Sequence, residues 1–436
     1  MPITRRAFLA ASGLSAAAAA LAACGSGGGA SSSGTPSGQL EVFSWWTAGG
    51  EKDALNALVA DFSLNNPTVR FVNRAVAGGA GTAAKAELAR RLQAGSPPDT
   101  FQGQIGGALH GYVEAGQLEP VDFLYHQEGW EKTFNPQLLP MIRKGGSYYA
   151  VPVDIHHINM LWSNQKICDH LGISSSPTTI REFLDNLKTV QRSGGGIIPL
   201  ATSEEWSFKH AFETLLLSVL GPDQYTALWK PGGNFGSSGV KQAISYFAEL
   251  LPYCSSLDGS LTWDQATQKL GQGKACYQIM GDWAEANLKA GSLYLTPRKD
   301  YNWAPVPGTE GVFEFEADCF TLPKGAKNRD AAVAWLKECG SRRGQDDFDT
   351  VKGAIPPRAS VDSTERTLYD EYQKWSLDLW RAKSTRLVGS VTHGTLVTND
   401  WNSAIDTAVT AFLKTRQQSS FQEALAAAGK KYAFTD

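Results

Sequence analysis

The chain lacks most of what would mark a metal centre, a nucleic-acid partner or a membrane-spanning domain. Cysteine is scarce, with six among 436 residues. Beyond Cys24 there remain Cys168, Cys254, Cys276, Cys319 and Cys339, an odd number at no metal-like spacing. One or two disulfides are open to such a chain outside the cytoplasm. Buried free thiols fit as well, and the spacing assigns no connectivity. An excess of one charge is missing too. Basic residues number 40 and acidic ones 43, for a net charge of −3, which argues against nucleic acid as a partner. No later stretch is apolar enough to span a bilayer, which takes about 20 strongly apolar residues. No internal repeat is visible. "SGGGIIP" has no phosphate-loop pattern and reads as a turn. No catalytic carboxylate motif stands out, and neither a cofactor nor a metal ligand set is implied.

The first residues carry an address. Thr4-Arg5-Arg6-Ala7-Phe8-Leu9 is close to a twin-arginine export signal, and Leu21-Ala22-Ala23-Cys24 has the form of a lipobox. The apolar run between them is too short and too alanine-rich for a transmembrane anchor. Residues 1–24 therefore read as a lipoprotein signal, with Cys24 as the lipidated first residue after cleavage. Residues 25–39 are a Gly/Ser tether, too poor in apolar side chains to pack. Its reach as a flexible coil is roughly 20 Å. The expectation is a monomer held by lipid on the extracellular face of the cell membrane.

What is plentiful is aromatic: 13 Trp and 13 Tyr, many beside Gly, Pro or Asp rather than inside apolar runs. Indole and phenol rings offer a flat apolar face with a polar handle. "VFSWWTAGGEKDALNALVADF" shows the pattern. A strand ends at Ser44, a helix begins near Glu51, and Trp45 and Trp46 stand between. Adjacent strand residues face opposite ways, so one ring is a candidate for core and at least one for a stacking platform. Strand and helix signals alternate through most of the chain, and Thr179 to Glu182 spells a capping box. After Thr364 the pattern is mostly helical. This alternation predicts an α/β fold with largely parallel sheets. Ligands in such folds bind beyond the carboxyl ends of the strands. Gln102 follows "PPDTF", Asp154 and His156 follow "AVPV", and Asp282 and Trp283 follow "YQIMG", all at such ends.

The segments "VFSWWTAGGE", "GSPPDTFQG", "YYAVPVDIHHINMLWSN", "LTWDQATQKLGQGKACYQIMGDW", "NWAPVPGT", "FTLPKGAKN" and "VGSVTHGT", in this order, resemble the extracellular sugar-binding proteins of bacterial ABC importers. Within that family they are most similar to the glucose/galactose-binding group. The resemblance implies a two-lobed periplasmic-binding-protein-like fold that closes by a hinge over a ligand in the interlobe cleft. It places one lobe at 40–153 plus 309–355 and the other at 154–308 plus 356–436. It implies sugar contact at Trp45, Trp46, Gln102, Asp154, His156, Trp263, Asp318, Lys352 and His393, with Asp282 and Trp283 nearby. Related glucose binders can carry Asn where this chain has Asp154, which bears on which sugar is taken. The implied partners are a monosaccharide, most simply D-glucose but with galactose, mannose or xylose open, and the importer's permease.

The residue types suit a sugar. Apolar C–H faces of a pyranose stack on indole rings, while Asp accepts from neighbouring hydroxyls and Lys donates to oxygens. Plainer readings stand beside these. His156 and His157 are adjacent, so at most one is expected to face a pocket. His393 could be a satisfied loop histidine. Asp318 precedes an apolar strand, where an unpaired carboxylate is rare. Glu204 and Glu205 read as a solvated helix start with Trp206 as a supporting aromatic, and Arg342 and Arg343 as plain surface. Two other functions are weighed. A di- or oligosaccharide binder would need a longer site. An exported glycoside hydrolase would need two carboxylates about 5–5.5 or 6.5–9.5 Å apart, with Asp154, Asp282 and Asp318 as candidates.

Overall fold

The computed structural model describes residues 37–255, 259–289 and 293–433. The export signal, the lipobox with Cys24 and most of the tether lie outside these residues. The tether ends sooner than expected. Gly38 and Gln39 are the first rungs of a strand, Gly38–Phe43, paired in parallel with Val69 and Arg70.

Two sheets carry the chain. The first orders its strands Val69–Asn73, Gly38–Phe43, Thr100–Gln104, Asp318–Thr321 and Ala150–Pro152. The first three run parallel, as alternating strands and helices predict. Asp318–Thr321 returns from far along the sequence and runs antiparallel to both neighbours. Helix Gly49–Asn65 buries Leu55, Leu58 and Phe62, spaced three and four apart as one helical face requires. These side chains share a core with Leu40, Val42, Phe101, Phe320 and Trp335.

The second sheet orders Tyr301–Pro305, Met160–Asn164, Ala275–Ile279 and Ile198–Leu200. Met160–Asn164 is antiparallel to both of its neighbours, so the sheet is less parallel than the sequence predicts. Helix Ile180–Ser193 packs there through Phe183, Leu187 and Val190. Its N-cap is half of the expected box. Thr179 Oγ1 accepts from the Glu182 N–H at 3.1 Å, but the Glu182 carboxylate accepts from the Thr178 N–H, one residue earlier. Helix Glu205–Leu228 carries non-helical backbone at Gly221, before Pro222.

A three-stranded sheet is ordered Arg386–Gly389, Val312–Glu316 and His156–His157, and the last two of these lie in the chain between strands of the other two sheets. Glu316 pairs with His156 in antiparallel register. Beyond these paired residues, one chain segment enters the first sheet at Asp318 and the other enters the second at Met160. A third core is aromatic and includes Trp162, Trp206, Trp263, Trp283, Trp303 and Tyr372. Tyr369, Leu377 and Trp380 join the first core, although 356–436 reads from sequence as part of the second lobe. None of Cys168, Cys254, Cys276, Cys319 and Cys339 is disulfide-bonded in this structure.

Candidate functional site

The strand Gly38–Phe43 delivers Trp45 and Trp46 to the same corner and then parts them. Trp45 is 7% exposed and lines a cleft of about 350 Å³, the open solvent at its mouth included. Trp46 is fully buried behind it, packed on Phe348 and Phe320 at ring-centroid distances of 4.9 and 5.7 Å. The Lys352 ammonium lies 4.4 Å above the Trp46 ring, a cation–π contact that seats the lysine. Trp46 is thus a platform for Lys352 and not a wall of the cleft.

Lys352 ends helix Arg342–Lys352 and gathers carboxylates. Its Nζ is 3.5 Å from Asp318 Oδ2, 3.6 Å from Glu51 Oε1 and 3.8 Å from Asp154 Oδ2. Burial alone would lower its pKa, but these neighbours outweigh burial and raise it. Gln102 joins the ring from below. Its Nε2 donates to Asp318 Oδ1 at 2.9 Å, and its Oε1 accepts from the Trp45 N–H at 3.1 Å. Gln102 therefore ties the two strand ends together and does not line the cleft.

Behind Asp318 runs a buried row. The Asp318 N–H donates to Asp154 Oδ1 at 2.8 Å. Asp154 Oδ2 is 3.1 Å from His156 Nε2, an ion pair rather than an aligned hydrogen bond. His156 Nδ1 bonds Asp282, whose other oxygen accepts from the His157 N–H at 3.0 Å. Burial pushes His156 down, but Asp154 and Asp282 on its two nitrogens push it well above the usual histidine range. Burial alone takes His157 down to about 3, consistent with its stacking on Phe313 and Trp375. Asp154, His156 and Asp282 thus stand behind the cleft, not on it. Asp154, His156 and Asp318 could together offer donors to a metal ion. Lys352 already supplies the positive charge beside both carboxylates.

The opposite wall is aromatic. Trp206, Trp263, Trp283 and His393 line it, with Trp283 5.1 Å and Trp206 5.9 Å from the His393 ring. His210 Nε2 lies 3.0 Å from the Ile158 carbonyl, so that nitrogen carries the proton and Nδ1 is left to accept. His393 Nε2, 3.4 Å from this Nδ1, must then donate, which leaves His393 Nδ1 as an acceptor. Burial and then His210 hold His393 well below the usual range, hence neutral.

Sequence reasoning missed Glu51, Gln104 and Glu316 and gave Trp206 too small a place; all four line the cleft. Glu51 looks like any acid in a helix's first turn. Glu316 is two residues before Asp318, and extended chain puts both on one face; that spacing was the available signal. Its Oε2 is buried without a partner. Burial, then Asp318, pushes its carboxyl well up, which favours the protonated form. Charged and neutral hydrogen-bonding groups thus edge a small space floored by indole rings.

The family model for bacterial extracellular solute-binding proteins matches residues 48–346, a span that holds Glu51, Trp206, Trp263, Trp283, Glu316 and Asp318 of the cleft. The chain belongs to this family. This solute-binding protein is 33% identical over 366 residues to a Brucella melitensis protein named "Probable sugar-binding periplasmic protein", with 81% of this chain and 83% of that one covered. Its fold is similar to that of AcbH, a bacterial solute receptor described as having an exclusive preference for β-D-galactopyranose. The TM-score is 0.76 at 18% identity, over 90% of this chain and 98% of that one. A chitin oligosaccharide binding protein gives a TM-score of 0.76 at 17% identity, over 91% and 99%. These two likenesses show the fold: two lobes with a ligand cleft between them.

Proposed function

We propose that this solute-binding protein captures one monosaccharide, D-glucose first among the common ones, and delivers it to the permease of an ABC importer. The observation that carries the reading is the cleft. Indole rings and a few charged or hydrogen-bonding side chains line it together, the mixed lining of a small-molecule site. Trp45, Trp206, Trp263 and Trp283 offer faces to a pyranose ring, and Glu51, Glu316, Asp318, Lys352 and His393 meet its hydroxyl rim. Trp46, Gln102, Asp154, His156 and Asp282 hold those groups in place. The departure at Asp154 then acts on specificity through Asp318 and Lys352. The Brucella relative's name supports sugar as the ligand class. The fold neighbours include receptors for one ring and for several, so ring number is argued from the four indole rings that crowd the cleft.

The proposed lobes are 40–153 plus 309–355 and 154–308 plus 356–436. Sugar bridging both favours the closed state by its differential affinity for the two states. We propose capture without turnover. Of the carboxylates considered for a hydrolase, Asp154 and Asp282 are engaged with His156 and do not line the cleft. Lipid on Cys24 and export by the twin-arginine route complete the reading.

Calorimetric titration of glucose, galactose, mannose, xylose and maltose tests it. A monosaccharide is expected to bind at about −8 to −10 kcal/mol, with maltose at least about a hundredfold weaker. Maltose binding as tightly as the best monosaccharide would move the function to oligosaccharide uptake. Turnover of an aryl glycoside, abolished by Asp318→Asn, would make the protein an enzyme.

A further inference from the structure

Two cysteines meet in the interior of the second core, and neither lines the cleft. Cys276 sits on strand Ala275–Ile279 and Cys168 in helix Gln165–Leu171. Their Sγ atoms are 3.7 Å apart, and the residues are 108 positions apart in the chain. Both are fully buried. Cys319 and Cys339 belong to the first core, and Cys254 contacts the carbonyl of Leu250. Among the described residues only Cys168 and Cys276 bring two sulfurs into contact.

We propose that Cys168 and Cys276 form a disulfide in the exported protein, fastening the helix to the strand. Disulfides persist outside the cytoplasm, where no reducing pool keeps thiols apart, and the family works there. Forming one requires the sulfurs to close from 3.7 Å to about 2.05 Å. The oxidant is an external organic disulfide. The Cys168 thiolate attacks one of its sulfurs and expels a thiolate; the Cys276 thiolate then attacks the Cys168 sulfur and expels the second. Two protein thiols are oxidised, one external disulfide is reduced to two thiols, and the two protons released by the cysteines go to them. Cys276 beside it holds Cys168 below the usual thiol range, which favours Cys168 as the first nucleophile. Burial of both sulfurs confines the exchange to folding or to local opening. Once formed, the bond closes a long loop and so restricts the unfolded chain.

The test uses full-length protein recovered from the cell surface. It is denatured without reductant, alkylated with iodoacetamide and digested. The expected result is one peptide pair linked through Cys168 and Cys276, with Cys254, Cys319 and Cys339 alkylated. Reduction should lower the melting temperature by roughly 5 °C, and a Cys168→Ala, Cys276→Ala protein should show no response to reductant. Alkylation of both Cys168 and Cys276, or linkage of either to another cysteine, overturns the proposal.

Discussion

Asp318 is the residue on which the proposed site turns. Burial and Asp154 push its carboxyl up to about 6, against Lys352 and His156. Burial takes Glu51 up to about 7, opposed chiefly by Lys352. Raised acids favour the protonated folded protein, so in the sugar-free state their contribution to stability is lost as pH rises from about 4 through 6 and 7. Sugar binding has the opposite sign. Hydroxyls donate to ionised carboxylates, so affinity should be full above pH 7 and fall as pH drops through 7 and 6. Below pH 6 the fall should approach about tenfold per unit for each proton taken up. Calorimetry between pH 5 and 8 measures it; a flat profile would remove both carboxylates from the ligand. Asp318→Asn should weaken binding more than about tenfold at pH 7.5, over 1.4 kcal/mol, and flatten the lower part of the profile. Circular dichroism should show the variant folded.

At the scale of elements, glycines set how closely the parts approach. The short turn Gly79–Gly81 enters the cleft between Trp45 and Trp206. A Cβ on Gly79 would stand 1.9 Å from Trp206 Nε1, and one on Gly81 would stand 2.8 Å from the Trp45 ring. Gly79→Ala should therefore displace the turn or Trp206 and disturb the cleft. The expected result is a rise in Kd of more than about tenfold. A variant that binds like the parent would show that this contact does not accompany capture. Gly111 in helix Gly107–Glu114 is the counterpart: a Cβ there meets nothing within 4 Å. Gly111→Ala should raise stability by about 0.5–1 kcal/mol with no change in affinity. Denaturant midpoints would read the gain.

At the scale of the molecule, two sheets with separate cores are joined through the short strands His156–His157 and Val312–Glu316. His156, on one of these strands, faces Asp154, which accepts from the Asp318 N–H, and Asp318 follows the other by two residues. A movement of one lobe against the other would thus act on the groups proposed to hold the sugar. Membrane attachment belongs to this scale too. Cys24→Ala should release the protein into the medium or leave it unprocessed. Membrane fractionation with a mass measurement decides, and a shortened form still in the membrane fraction would end the lipoprotein reading.

Periodicity and the order of motifs were enough for the family, for most strands and helices, and for the corner where the cleft would lie. Those features depend on neighbours within a few residues, and a sequence displays such neighbours directly. Alternation along a strand also told that Trp45 and Trp46 part company, but not which one faces the cleft. Phe348 and Lys352, some 300 positions further on, make that choice by covering Trp46. His156 stood at the right strand end, yet Asp282 draws it inward from 126 positions away. Glu51 and Glu316 looked like an ordinary helix-start acid and an ordinary strand residue. Only the approach of Lys352 and Asp318 gives them a shared space to face. The sequence by itself determined the elements and the chemistry available at their ends. Which of those groups reach the cleft was decided by packing between residues distant in the chain, because a side chain's direction is set by what fills the space behind it.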